Sequence, residues 1–159
     1  MSLEPFHLER YFAAHEFDTP SLLGVSDCET ITVAELLDLD PTARERFERL
    51  RLGYTRSDGS ATLRAAIAGS YADPIGPDDI LVHAAGVEVV TTLMLAALRP
   101  GDRALVQMPC YQVLRTAPEM AGAAVDRLET TPDDGWAVRA AAVEVGLRPE
   151  TRLVVLNSP

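Results

Sequence analysis

The sequence predicts an α/β chain with an incomplete, mainly parallel sheet flanked by helices, and three observations predict it. From Ser60 onward, apolar runs of strand length alternate with stretches of helical period, the pattern of strands joined by right-handed helical crossovers. The closing run Leu153-Val154-Val155-Leu156, bounded by Arg152 and Asn157, reads as a parallel strand covered on both faces. Turn-forming residues separate the elements, at Pro74 and Pro77, at Arg99-Pro100-Gly101-Asp102 and at Thr130-Thr131-Pro132-Asp133-Asp134-Gly135.

Each element follows from local pattern. Leu8, Tyr11, Phe12 and His15 mark a short amphipathic helix. Thr32 with Glu35 three residues on forms a capping box ahead of Leu36-Leu37. Asp40-Pro41 opens a further helix as N-cap and first residue, with Ala43, Phe47 and Leu50 on one face. Residues 1–53 therefore look like an arm of short helices without a core of its own. Ser60 caps a helix whose buried face is Leu63, Ile67 and Tyr71, ended by Pro74 and Pro77. Ile80-Leu81-Val82 reads as a short strand, followed by a nearly all-apolar helix from about Gly86 to Leu98. Next come strand Ala104–Gln107, a helix from about Tyr111 to Ala121, strand Ala124–Leu128, a helix across Ala137–Val145 and the closing strand. Pro118 should kink or shorten the Tyr111 helix, since it lacks the N–H that the helical ladder needs.

Composition narrows the function classes. The chain has 159 residues, 47% apolar and 6% aromatic, with 14 basic against 24 acidic residues and a net charge of −10. That length supports one domain with a real core. The acidic balance argues against a nucleic-acid partner, which requires a basic footprint. All 14 basic residues are Arg, so no Schiff base to a lysine amine can form within this chain. Cys28 and Cys110 lie far apart, and His7, His15 and His83 are scattered, so no zinc-ligand spacing is present. Met1-Ser2-Leu3-Glu4-Pro5 has neither the basic start nor the apolar core of a signal peptide. The longest apolar stretch, Val89 to Leu98, is interrupted by Thr91-Thr92 and is about half a membrane span. A cytoplasmic protein with no membrane partner is the expectation.

Three places could carry chemistry. Ala84-Ala85-Gly86-Val87 lies between an expected strand and the apolar helix, and the N–H groups of Gly86, Val87 and Glu88 could hold a phosphate. Most strand-to-helix turns contain a small residue and bind nothing, so pattern alone leaves phosphate binding and plain packing both open. Neither G-x-G-x-x-G nor G-x-x-x-x-G-K-[ST] occurs, which removes the two commonest nucleotide-binding readings. Pro109-Cys110-Tyr111 follows the next strand, where Tyr111 could cover a flat ligand or simply begin a helix. Cys110 reads as a packed small residue rather than a nucleophile, with no His nearby in sequence. Leu52-Gly53-Tyr54-Thr55 precedes Gly59-Ser60 and Leu63-Arg64, and Tyr54 there is either functional or pins the loop.

Taken together these segments are far more specific than any one of them. Gly53-Tyr54-Thr55, Gly59-Ser60, Leu63-Arg64, Ile67-Ala68, Asp79-Ile80-Leu81-Val82, Gly86, Pro100-Gly101-Asp102 and Pro109-Cys110-Tyr111 closely resemble fold-type-I pyridoxal-phosphate (PLP) enzymes of the aminotransferase class I/II family. Leu156-Asn157-Ser158-Pro159 resembles the segment just before that family's His-Asn-Pro-Thr-Gly signature. Glu4-Pro5-Phe6-His7-Leu8-Glu9-Arg10-Tyr11-Phe12 with Ser26-Asp27-Cys28-Glu29 is similar to a branch that includes capreomycidine-synthase-like members.

The resemblance implies the amino-terminal part of an aspartate aminotransferase-like fold. Residues 1–53 would be the arm and part of the small domain, and residues 54–159 the first part of the PLP-binding large domain. It implies that Ala85, Gly86 and Val87 hold the cofactor phosphate and that Tyr111 stacks on the pyridine ring. Tyr54 would reach the phosphate of a neighbouring subunit in a homodimer. Relatives usually carry Gly-Ala and a polar side chain where this chain has Ala85-Gly86-Val87, so phosphate binding should be weaker than usual. The family's Schiff-base Lys, its Asp at the pyridine nitrogen, the Asn at the cofactor hydroxyl and the Arg for the substrate carboxylate have no counterpart in the matched segments. No catalytic residue is therefore expected here.

The expectation is an amino-terminal piece of an enzyme that moves an amino group between an amino acid and a 2-oxo acid. Elimination or cyclisation on the same fold is one alternative, and a non-catalytic product or half of a split enzyme is another. A Rossmann-type nucleotide or methyl-donor domain is disfavoured by the missing glycine motif.

Overall fold

The computed structural model describes residues 4–21, 23–24 and 28–158. Met1-Ser2-Leu3, the Ser26-Asp27 part of the resemblance and Pro159 lie outside the described residues. Two compact units divide the chain: one joins the amino-terminal segment through Ala13 to the stretch from His83 onward, and the other runs Ala14–Val82.

The chain opens with helix α1 (His7–His15), as its apolar spacing predicts. In the Ala14–Val82 unit, α2 (Val33–Asp38) begins at Thr32 with the full capping box. Thr32 Oγ1 accepts from Glu35 N–H at 3.1 Å, while Glu35 Oε2 accepts from Thr32 N–H at 2.7 Å. Helix α3 (Ala43–Glu48) starts later than Asp40-Pro41 suggested. Asp40 Oδ1 takes the Thr42 N–H and hydroxyl, both at 2.8 Å, which closes a local turn before the helix instead of capping it.

Helix α4 (Ala61–Ala68) has the expected cap, with Ser60 Oγ accepting from Leu63 N–H at 3.2 Å. Its buried face is a correction. Arg64 and Ala68 are buried, whereas Leu63 is 45% exposed and Tyr71, beyond the helix, is 60% exposed. Arg64 turns inward because Pro77 O accepts from its Nη1 at 2.9 Å and Asp58 Oδ2 stands 3.3 Å from its Nη2. The helix ends at Gly69, well before Pro74. Ile80-Leu81-Val82 is extended but forms no strand. A strand needs a neighbouring ladder, whereas this segment makes a local turn bond, Ile80 N–H to Pro77 O at 3.4 Å, and a bridge, Val82 N–H to Asp58 O at 3.2 Å. That bridge requires Gly59, at φ +99°, where a Cβ would stand 2.5 Å from Val82 Cγ2.

The unit from His83 onward holds α5 (Gly86–Ala97), β1 (Arg103–Met108), α6 (Gln112–Met120), β2 (Ala124–Glu129), α7 (Ala140–Gly146) and β3 (Thr151–Val155). The strands form one all-parallel sheet in the order β2-β1-β3. Every crossover carries a helix, as parallel pairing demands. Ala104, Leu105 and Val106 of the central strand are wholly buried, which accounts for their unbroken apolar run. Met94 of α5, Leu98 just after it, and Val113 and Ala117 of α6 pack with Ala104 and Val106 in one core, while Leu105 lies against Gly146 of α7. Pro118 is fully buried in the last turn of α6, which closes two residues later.

Strand β3 differs from expectation on one face. Val155 is buried and Leu153 packs on the core, but Val154 is 37% exposed and Leu156, just past the strand, 56%. The strand is parallel and apolar, yet covered on one side only among the described residues.

Candidate functional site

Helix α5 presents an open amino terminus. Its N-cap, Ala85, is extended at φ −154° and ψ 154° and has no side chain able to cap. The hydrogen-bond ladder begins with Val89 N–H to Ala85 O at 3.1 Å, leaving the N–H groups of Gly86, Val87 and Glu88 ahead of it. A Cβ at Gly86 would meet nothing within 4 Å, so the space beside Gly86 is open. Such a terminus carries about half a positive charge and attracts anions. Glu88 does not fill the space: its Oε2 takes the Ala84 N–H at 2.7 Å and lies 3.7 Å from His83 Nδ1. The tight return Arg99–Asp102, closed by Asp102 N–H to Arg99 O at 3.0 Å, sets the end of α5 beside the start of β1.

Tyr111 follows the carboxyl end of β1, as the N-cap of α6. It is half-buried against the core, and the amino-terminal segment engages it directly. Its hydroxyl donates to Glu9 Oε1 at 3.0 Å, and Phe6 meets its ring edge-on, with centroids 5.5 Å apart and planes at 66°. Burial, and then the Glu9 hydrogen bond and charge, push the Tyr111 phenol above its ordinary pKa. Burial also raises the Cys110 thiol, which agrees with a packed residue rather than a nucleophile.

The carboxyl ends of β1 and β3 frame a cleft of about 380 Å³ lined by Gln107, Pro109, Cys110, Thr130, Trp136 and Asn157. Gln107 Oε1 accepts from Asn157 N–H at 3.0 Å, and the Thr130 hydroxyl donates to Met108 O at 2.9 Å. Trp136 reaches the cleft by following Gly135 through two consecutive left-handed residues, φ 65° and 62°.

Ala85, Gly86, Val87 and Tyr111 thus share one compact unit. Tyr54 belongs to the other and is fully exposed. Sequence reasoning missed Phe6 and Glu9 as neighbours of Tyr111, and missed Trp136. The lone Trp after a turn-rich run was the available signal for Trp136, whereas Glu9 and Tyr111 are 102 positions apart and share no local pattern. Among the described residues, no helix is long and apolar enough to cross a membrane.

Parallel strands joined by helical crossovers define an α/β domain, a class in which ligands bind beyond the carboxyl ends of the strands. Comparison with known proteins narrows this class. The sequence profile of the family described as aminotransferase class I and II matches residues 23–159. The probable N-succinyldiaminopimelate aminotransferase DapC of Mycobacterium tuberculosis is 32% identical over 112 residues, covering 67% of this chain and 28% of that protein. The aspartate/prephenate aminotransferase of Thermus thermophilus is 28% identical, covering 74% of this chain and 31% of the relative. Among solved structures, a PLP-dependent aminotransferase from Streptococcus suis superposes with a TM-score of 0.84 at 25% identity, covering 97% of this chain and 42% of that one. The PLP-dependent cyclase OrfR gives 0.78 at 27% identity, covering 98% of this chain and 41% of the other. The chain belongs to the aminotransferase class I and II family and has its fold. It spans about a third of the length of the curated relatives it matches.

Proposed function

We propose that these residues form the phosphate-side wall of a PLP site in an enzyme that transfers an amino group between an amino acid and a 2-oxo acid. The observation that carries this reading is the uncapped α5 terminus with open space beside Gly86, in a chain of this family. Gly86, Val87 and Glu88 would supply backbone N–H groups to the cofactor phosphate, with Ala85 as the N-cap of the same turn. Val87 adds no side-chain donor. Tyr111 would cover the pyridine ring, and fully exposed Tyr54 would reach the phosphate of a second subunit in a homodimer. The assignment of residues 54–159 to a cofactor-binding domain, and of residues 1–53 to the arm and small domain, belongs to the same proposal, as does a cytoplasmic location.

When bound, PLP supplies an electron sink for bond cleavage at an amino acid's α-carbon. This chain's residues bind and orient the group; having no Lys, they offer no side-chain amine to attach it. The likeness to OrfR favours cyclisation of an amino-acid substrate as the second reading.

The test is a titration of the chain with PLP, followed by induced circular dichroism of the cofactor. Saturable binding that Gly86→Leu weakens at least tenfold is the expected result. Binding unchanged by Gly86→Leu, or no induced signal, would refute the phosphate assignment.

A further inference from the structure

The amino-terminal segment is fastened to the start of α6 by five contacts. His7 N–H donates to Gln112 Oε1 at 3.0 Å, and Gln112 Nε2 returns a bond to Pro5 O at 2.9 Å. Glu4 pairs with Arg115, one turn further along α6, and Arg115 Nη1 also reaches Glu119 Oε1 at 3.2 Å. The remaining two contacts, from Phe6 and Glu9, fall on Tyr111 itself. This is more than a helix needs at its N-cap. Tyr111 contributes no capping hydrogen bond to α6, so the contacts made by its ring and hydroxyl serve the side chain and not the helix end.

We infer that Glu9, assisted by Phe6, is a positioning residue that holds the Tyr111 ring in the orientation needed to cover a bound cofactor. The inference rests on the proposed role of Tyr111 in covering the pyridine ring. A phenol on a flexible side chain can rotate about two torsions. An acceptor at its tip and an aromatic ring across its body remove that freedom before the ligand arrives, which lowers the cost of binding. The carboxylate suits the task because a charged acceptor strengthens the bond from the phenol. Arg115, the cation nearest along α6, is occupied by Glu4 and Glu119, leaving the Glu9 carboxylate to the phenol.

The experiment titrates the chain with PLP and reads affinity and induced circular dichroism for wild type, Glu9→Ala, Glu9→Gln, Tyr111→Phe, Tyr111→Ala and the Glu9→Ala/Tyr111→Phe pair. Tyr111→Ala should weaken binding most. Glu9→Ala should weaken it about fivefold, in keeping with loss of one charge-assisted hydrogen bond. Glu9→Gln, which still accepts from the phenol, should stay within twofold of wild type. In the Tyr111→Phe background Glu9→Ala should add nothing, because the bond is already gone.

A readout without cofactor accompanies these. Phenolate absorbance, taken as the difference from Tyr111→Phe, should show Tyr111 titrating at lower pH in both Glu9 variants than in wild type. Burial keeps part of the upward shift. Tyr111→Ala binding as tightly as wild type would overturn the ring-covering role. Tyr111→Ala weakening binding while Glu9→Ala does not, or an equal Glu9→Ala loss in the Tyr111→Phe background, would overturn the positioning role alone. Should Glu9→Ala fail to fold, Tyr111→Phe removes the same bond from the other side, and wild-type affinity in that variant overturns the inference.

Discussion

Arg103 and Asp126 form a two-pronged ion pair between neighbouring parallel strands, Nε to Oδ2 and Nη2 to Oδ1, both at 2.6 Å. Arg148 Nε adds a third contact, 3.3 Å from Asp126 Oδ1. The Arg103 hydrogen bonds, followed by those and the charge of Arg148, hold the Asp126 carboxyl at about 2, below its ordinary 3.8. A depressed acid contributes stability that is complete above its unfolded pKa and is lost as pH falls through the folded one. Asp126→Asn should therefore lower stability by about 1–2 kcal/mol at pH 7, and the gap to wild type should close between about pH 5 and pH 2. Urea unfolding across that range measures it, and a constant gap would refute the linkage.

Gly59 provides a second prediction. Its φ of +99° and the built Cβ 2.5 Å from Val82 Cγ2 are separate obstacles to any side chain. Gly59→Ala should cost about 2–3 kcal/mol. Measured against Val82→Gly alone, adding Gly59→Ala should cost only roughly 1 kcal/mol of backbone strain, because Val82→Gly removes both Cγ2 at 2.5 Å and Cβ at 2.7 Å. Thermal melts of the single and double variants separate the two, and a double variant as stable as Val82→Gly would show that the backbone conformation costs nothing.

How much of this was legible in the sequence depended on how local each cause is. The capping box at Thr32 and Glu35, the Ser60 cap and the buried run of β1 all arise within a few residues, and each was readable. The periodicity of α4 marks a helix, but its buried face is that of Arg64 and Ala68 rather than of Leu63. Leu63 reads as core because it is apolar, while Arg64 is drawn inward by Asp58 and Pro77 O, brought by distant turns, which pair its two terminal nitrogens and leave Nε without a partner. Ile80–Val82 had strand composition without a partner ladder, and composition cannot supply one. At the site, the α5 terminus and Tyr111 were visible as turn chemistry. The docking of Phe6 and Glu9 was not, since it depends on tertiary placement.

Val87 invites a gain-of-function prediction. The α5 terminus offers backbone donors, but Val87 adds no hydroxyl. Val87→Ser should tighten PLP about threefold or more, in line with one added hydrogen bond to a charged acceptor. Isothermal titration checks it, and weaker binding would count against a phosphate at this turn.

The open face of β3 leads to a fourth prediction. Val154 and Leu156 leave apolar surface beside an unpaired strand edge among the described residues, which is a template for association. The 159-residue chain should form concentration-dependent oligomers that Val154→Lys and Leu156→Lys together suppress. Light scattering after size exclusion measures this, and a monomer at high concentration in wild type would contradict it.

Trp136 is the single tryptophan of the chain, its backbone held by the main-chain N–H to Thr131 O at 2.9 Å and its side chain half exposed at the mouth of the cleft. Its position makes the intrinsic fluorescence of the entire polypeptide a one-site signal. Any molecule or chain segment that enters beside Cys110 and Asn157 changes the polarity around that indole, and no other tryptophan dilutes the response. Occupancy of the sheet's carboxyl edge can therefore be followed by emission wavelength in an unlabelled protein.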